Sequence, residues 1–99
     1  MYAVVYSQRA EAQLMDLLEH IALAANPEIA VRYVDASVDQ CDRLSTFPRR
    51  GTRRDDLWPG LRVMGFRRRL SIAFVVEEKT VTVHGIFYGG RSLETAFEE

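Results

Sequence analysis

Lysine is almost absent from this chain. Lys79 stands alone beside twelve arginines. Cysteine is as scarce: Cys41 has no second thiol to join, which rules out an internal disulfide and fits a reducing cytoplasm. The two histidines, His20 and His84, form no Cys/His pair at metal-ligand spacing, so no metal site is expected. No apolar run approaches the ~20 residues of a membrane span, so no membrane association is expected. Met1–Tyr6 has no basic flank and is too short for a signal peptide; it reads as a strand. Neither glycine-rich phosphate motif is present, which argues against a nucleotide, and no cofactor is expected. Repeats and low-complexity linkers are also missing. Residues 1–99 therefore make one small domain.

What is present is arginine, concentrated in one stretch. Pro48–Arg69 holds eight of the twelve arginines and two acids, Asp55 and Asp56, for a formal charge of +6. The other residues carry five bases and twelve acids, or −7. The nearly neutral total hides a polarised molecule. Arginine's planar fork suits bidentate contact with carboxylates and phosphates, so the segment is expected to face an acidic partner.

Periodicity places this segment between helices and strands. Tyr2–Tyr6 is β-rich. Ser7 is a good N-cap for a helix with Glu11 in its first turn and Leu14, Leu17, Leu18, Ile21 and Ala25 on one face. Asn26-Pro27 breaks that helix and starts another, with Asn as cap and Pro at the first helical position. Its inward stripe is Ala30, Val34, Ser37/Val38, Cys41 and Leu44, and Pro48 ends it. The short connection implies an antiparallel helical hairpin. Leu61–Met64, Arg69–Glu77 and Thr80–Phe87 read as strands, with Val81, Val83 and Gly85 alternating against Thr82, His84 and Ile86. The order is β-αα-βββ. The expected fold is α+β: a two-helix hairpin on an antiparallel sheet of three or four strands, with Tyr2–Tyr6 beside the last. Arg91–Glu99 reads as a helical turn or a frayed end.

Four motifs resemble one known family. Ser7–Leu17 reads S-x-R-A-E-A-x-L-x-x-L, and Asn26–Ala30 reads N-P-E-x-A. Phe47–Arg62 reads F-P-R-R-G-T-R-R-D-D-L-W-P-G-L-R, and Phe87–Ser92 reads F-Y-G-G-R-S. Together they resemble the RelE/ParE superfamily of type II toxin–antitoxin toxins, in its ParE-like branch. The resemblance implies a RelE/ParE-like fold and a toxin, often linked to plasmid stabilisation, that is neutralised by a co-expressed antitoxin. It implies DNA gyrase as the target, bound without chemistry. RelE-like relatives instead cut mRNA on the ribosome, and a non-toxic antitoxin-binding module is a third reading.

Site residues follow from the charge pattern and these alternatives. Arg49, Arg50, Arg53, Arg54, Trp58, Arg62, Arg67, Arg68, Arg69 and Arg91 are the expected partner-binding residues, facing the acidic, amphipathic C-terminal segment of an antitoxin in a hetero-oligomer. Trp58 reads either as an interface anchor or, the favoured reading, as a cap on the open end of the core. Arg62 reads as aimed outward by a Pro59-Gly60 type II turn, or as paired with Asp55 or Asp56. Arg67, Arg68 and Arg69 are expected to alternate along a strand. No catalytic residue is expected for a binding inhibitor. A nuclease would draw on Arg62 or Arg69 as the cation and His84 or Tyr88 as the acid, and no general base presents itself. The one lysine and the few aromatic residues near the basic stretch argue against direct nucleic-acid binding.

Overall fold

The chain's computed structural model describes residues 1–89 and 93–97. Two helices form a hairpin: α1 spans Gln8–Ala24 and α2 spans Pro27–Asp42. Their starts are set by the expected caps. The Ser7 hydroxyl accepts from the Ala10 N–H at 3.1 Å, and the Asn26 side chain accepts from the Ile29 N–H at 2.9 Å. A 3-10 turn over Arg43–Ser45 closes α2 and places Leu44 in the core. Of the expected stripes, Leu17, Ile21, Ala30, Ser37 and Cys41 are buried, while Ala25 is the exposed C-cap of α1. Buried Ser37 satisfies its hydroxyl on the Tyr33 carbonyl one turn back, at 2.8 Å.

The sheet has five strands: β1 (Ala3–Tyr6), β2 (Thr52–Arg53), β3 (Leu61–Phe66), β4 (Leu70–Val76) and β5 (Thr80–Tyr88), in the order β1-β5-β4-β3-β2. The β-αα-βββ architecture is thus the expected one, with two differences. β1 lies beside the last strand as anticipated but runs parallel to it, which makes the sheet mixed. The two-residue β2 adds a fifth strand at the far edge. Neither leaves a signature in side-chain alternation, which reports faces and not strand direction. A short helix, α3 (Leu93–Ala96), follows β5.

The sheet is apolar on both faces. Met64, Leu70, Ile72, Phe74, Val81, Val83 and Ile86 pack with the helical hairpin in the main core. Leu61, Ala73 and Phe87 form a second cluster with Leu93, Ala96 and Phe97 of the α3 region. β5 serves both clusters, and a slip in its alternation decides which residues go to each. Ala73 pairs with Gly85 but Phe74 pairs with Val83, so His84 is an extra, bulged residue. Beyond the bulge the phase inverts. Ile86 joins the helix-facing set with Val81 and Val83, in place of the expected set containing Gly85. The bulge is held from α1: the Ser7 hydroxyl donates to the His84 carbonyl at 3.2 Å, and the Gln13 Oε1 accepts from the Ile86 N–H at 2.7 Å.

The expected strand through Arg67, Arg68 and Arg69 is instead a turn joining β3 to β4. Arg67 and Arg68 have φ of 50° and 67°. The left-handed region costs a side-chain-bearing residue about 1–2 kcal/mol. Two in succession, with neither Gly nor Asn, is an uncommon choice for a hairpin.

Candidate functional site

The arginine segment folds into two separate parts. The first is the loop from Pro48 to Gly60. Trp58-Pro59-Gly60-Leu61 is the expected type II turn, with Gly60 at φ 80° and the Leu61 N–H donating to the Trp58 carbonyl at 3.0 Å. Asp55 knits this loop together. Its carboxylate accepts from the Arg53 guanidinium at 3.0 Å and from the Gly60 N–H at 2.8 Å. Those two donors hold its pKa below the usual carboxylate range. Arg54 grips Asp56 through two nitrogens, each at 3.0 Å, with the same downward effect on Asp56. Among the described residues these are the ion pairs, and none reaches Asp35, Asp39 or Asp42 of α2. Arg62 donates to the Arg50 carbonyl at 3.3 Å and so braces the loop from β3. Arg49 and Arg50 are exposed.

The second part is the β3–β4 turn. It lies beyond the Phe66 end of β3, a strand of six residues and hence roughly 20 Å from the Trp58–Leu61 turn at the other end, whereas the start of the loop, through Gly51, runs alongside the strand. Arg67, Arg68 and Arg69 are all exposed. The Arg67 guanidinium lies over the Phe66 ring, 4.9 Å from its centroid, and 5.9 Å from that of Tyr33. Tyr33 in turn meets Phe66 and Tyr88 edge-on, with centroids 6.0 Å apart in each case. Ile29, Arg32, Tyr33 and Arg67 line a shallow depression of about 600 Å³. Arg32 and Tyr33 belong to α2, and no sequence motif joins them to the turn; only packing does.

Of the residues considered for RNA cleavage, the structure brings together one cation and one acid, Arg69 and Tyr88, and leaves Arg62 and His84 elsewhere. Arg69 and Tyr88 line a cavity of about 420 Å³ with Asp16 and His20 of α1. His20 meets Tyr88 edge-on at 5.5 Å. His84 lines a different cavity, of about 230 Å³, with Arg9, Trp58 and Phe97. The bulge is the reason, since it turns His84 toward the α3 side and leaves Tyr88 against the helices. Arg62 sits with Arg50, in neither cavity. Burial lowers the His84 pKa, Arg9 lowers it further, and Glu77 works weakly the other way. Trp58 is 51% exposed at the rim of the His84 cavity, so it is not the closed cap on the core that the sequence favoured. Arg91 lies outside the described residues. Among the described residues no three His, Cys, Asp or Glu side chains gather as metal ligands, and no helix is long and apolar enough to cross a membrane.

The family model for the ParE toxin of the type II toxin–antitoxin system parDE matches residues 4–93. The chain belongs to the ParE toxin family. That match takes in both arginine parts and β5. Among solved structures, a chain of the chromosomal ParDE toxin–antitoxin system from P. aeruginosa is 26% identical to this ParE-family chain. The alignment covers 90% of this chain and 97% of that one, with a TM-score of 0.78. No curated protein sequence matches.

Proposed function

We propose that this ParE-family chain is a toxin that arrests growth by binding DNA gyrase in the cytoplasm, and that an antitoxin with an acidic, amphipathic C-terminal segment neutralises it. Membership of the toxin family supports the first half, and the ParDE relative supports an antitoxin partner. The observation that favours binding over RNA cleavage is the match of residues 4–93 to the ParE toxin family. A cleavage site needs its acid and its phosphate-binding cation around one scissile bond. Arg69 and Tyr88 do share a cavity, while Arg62 and His84 lie elsewhere, so the geometry alone does not decide against cleavage. Exposed arginines, in contrast, suit a protein surface that carries carboxylates. The proposed partner-binding residues are Arg49, Arg50, Arg53, Arg54, Trp58, Arg62, Arg67, Arg68, Arg69 and Arg91, and no cofactor is needed.

The test is a supercoiling assay with purified gyrase. The toxin should inhibit supercoiling or trap cleaved DNA, and the protein encoded beside it should reverse the effect. Induced cells should become filamentous with DNA-damage signalling. Ribosome-dependent mRNA cutting with gyrase untouched would replace this reading with the RelE-type one, and induction without any growth defect would leave an antitoxin-binding module.

A further inference from the structure

The arginines of the β3–β4 turn combine two features that those of the loop do not: Arg49 and Arg50 also make no ion pair among the described residues, but neither has left-handed backbone. Arg53 and Arg54 are met by Asp55 and Asp56. Arg67, Arg68, Arg69 and nearby Arg32 have no ion pair with any carboxylate among the described residues. Two of them also occupy left-handed backbone, which Asn-Gly would fill at lower cost. A chain that keeps arginine there gives up stability, and strain of this kind gathers at functional positions. Burial is not the compensation, since all three turn arginines are exposed, and among the described residues ring contact is available to Arg67 but to neither Arg68 nor Arg69.

We propose that the β3–β4 turn and the adjoining flank of α2 form a distinct docking site for the acidic segment of the antitoxin. Arg32, Arg67, Arg68 and Arg69 would receive its carboxylates, and Ile29 one of its apolar side chains. Three features define the occupant. The cations around the depression are arginines, which suit paired carboxylates. Ile29 is 43% exposed at the edge of this basic patch, so the ligand carries an apolar group next to its charge. The rings of Tyr33, Phe66 and Tyr88 pack edge-on against one another, and Arg67 lies over two of them. They offer no stack of open faces to the bases of a single strand. An acidic, partly apolar peptide fits these conditions and a nucleic acid does not. The proposal rests on the antitoxin reading above. It deepens that reading by moving the carboxylate contacts from the loop of Arg53 and Arg54 to the other end of β3.

The double change Arg67→Asn/Arg68→Gly tests it, because it removes both guanidinium groups and supplies residues suited to the turn. The melting temperature should stay level or rise. Antitoxin affinity, measured by calorimetry on the full-length proteins at low salt, should fall about tenfold or more, as loss of charge-assisted contacts implies. Raising the salt should narrow the gap between variant and wild type. Arg32→Gln leaves the turn untouched and should weaken binding in the same direction, so the test survives a double variant that folds poorly. Undiminished affinity in these variants would overturn the proposal. So would full antitoxin binding with loss of growth arrest, which would make the turn a target-facing surface. If the wild-type toxin itself fails to bind the antitoxin, the underlying reading has failed and not this assignment of the site.

Discussion

One hydroxyl joins Ser7 to His84. The Ser7 Oγ accepts from the Ala10 N–H at 3.1 Å, capping α1, and donates to the His84 carbonyl at 3.2 Å, closing the bulge of β5. The start of the helical layer and the irregularity in the sheet are therefore held by the same atom. Ser7→Ala should cost about 2 kcal/mol, roughly 1 for the cap and 1 for the second bond. Asn26→Ala loses a cap alone and should cost about half as much. Urea denaturation of the two variants side by side checks this. Equal losses would mean that the bond to the bulge contributes nothing.

Gln13 makes the second tie to the bulge. Its Oε1 accepts from the part-buried Ile86 N–H at 2.7 Å. Gln13→Leu keeps the bulk and strands that donor, for a cost of about 1–3 kcal/mol. Hydrogen exchange at the Ile86 amide should speed up more than at residues of β3, which the bond does not touch.

His84 should make stability depend on pH. Burial and Arg9 hold its folded pKa below the ordinary 6.5. Below that value the unfolded chain binds a proton that the folded chain resists. The contribution is thus fully present above about 6.5 and is lost as pH falls through the lowered folded value. Melting temperature should decline over this window, and His84→Gln should flatten the decline. An unchanged slope in that variant would remove His84 as the cause.

Gly51 sits at φ 76°, and a Cβ there would lie 2.4 Å from the Val63 carbonyl oxygen. Both the backbone conformation and the close approach of β3 require glycine. Gly51→Ala should destabilise the fold by more than about 1 kcal/mol and loosen the loop that carries Arg49 and Arg50. Thermal melting and limited proteolysis of the loop read both effects.

Cys41 is fully buried, and its thiol pKa is pushed up to about 11, chiefly by burial. It should ignore a thiol reagent at neutral pH in the native protein and react at once in denaturant. Prompt labelling of the folded chain would show that the core opens near α2.

The sequence by itself determined the elements and much of their chemistry. Ser7 and Asn26 announced the helix starts because a short polar side chain can satisfy the first free N–H groups locally. Pro59-Gly60 announced its turn because the backbone preferences of those two residues are intrinsic. The polarity of the chain and its family were also legible, since both are written in residue order and count. Tertiary structure decided the rest. Strand direction put β1 parallel to β5, and alternation cannot encode that. The bulge at His84 depends on Ser7 and Gln13, more than seventy residues earlier, and it reversed the faces of Ile86 and Phe87. The run of arginines looked like one surface. The fold carried Arg67, Arg68 and Arg69 past the far end of β3 from Arg53 and Arg54, gave those two their own aspartates, and set Arg67 beside Tyr33 of α2. Local rules cover what neighbouring residues do to one another. Which distant residues meet is settled by the shared burial of faces that no single segment contains.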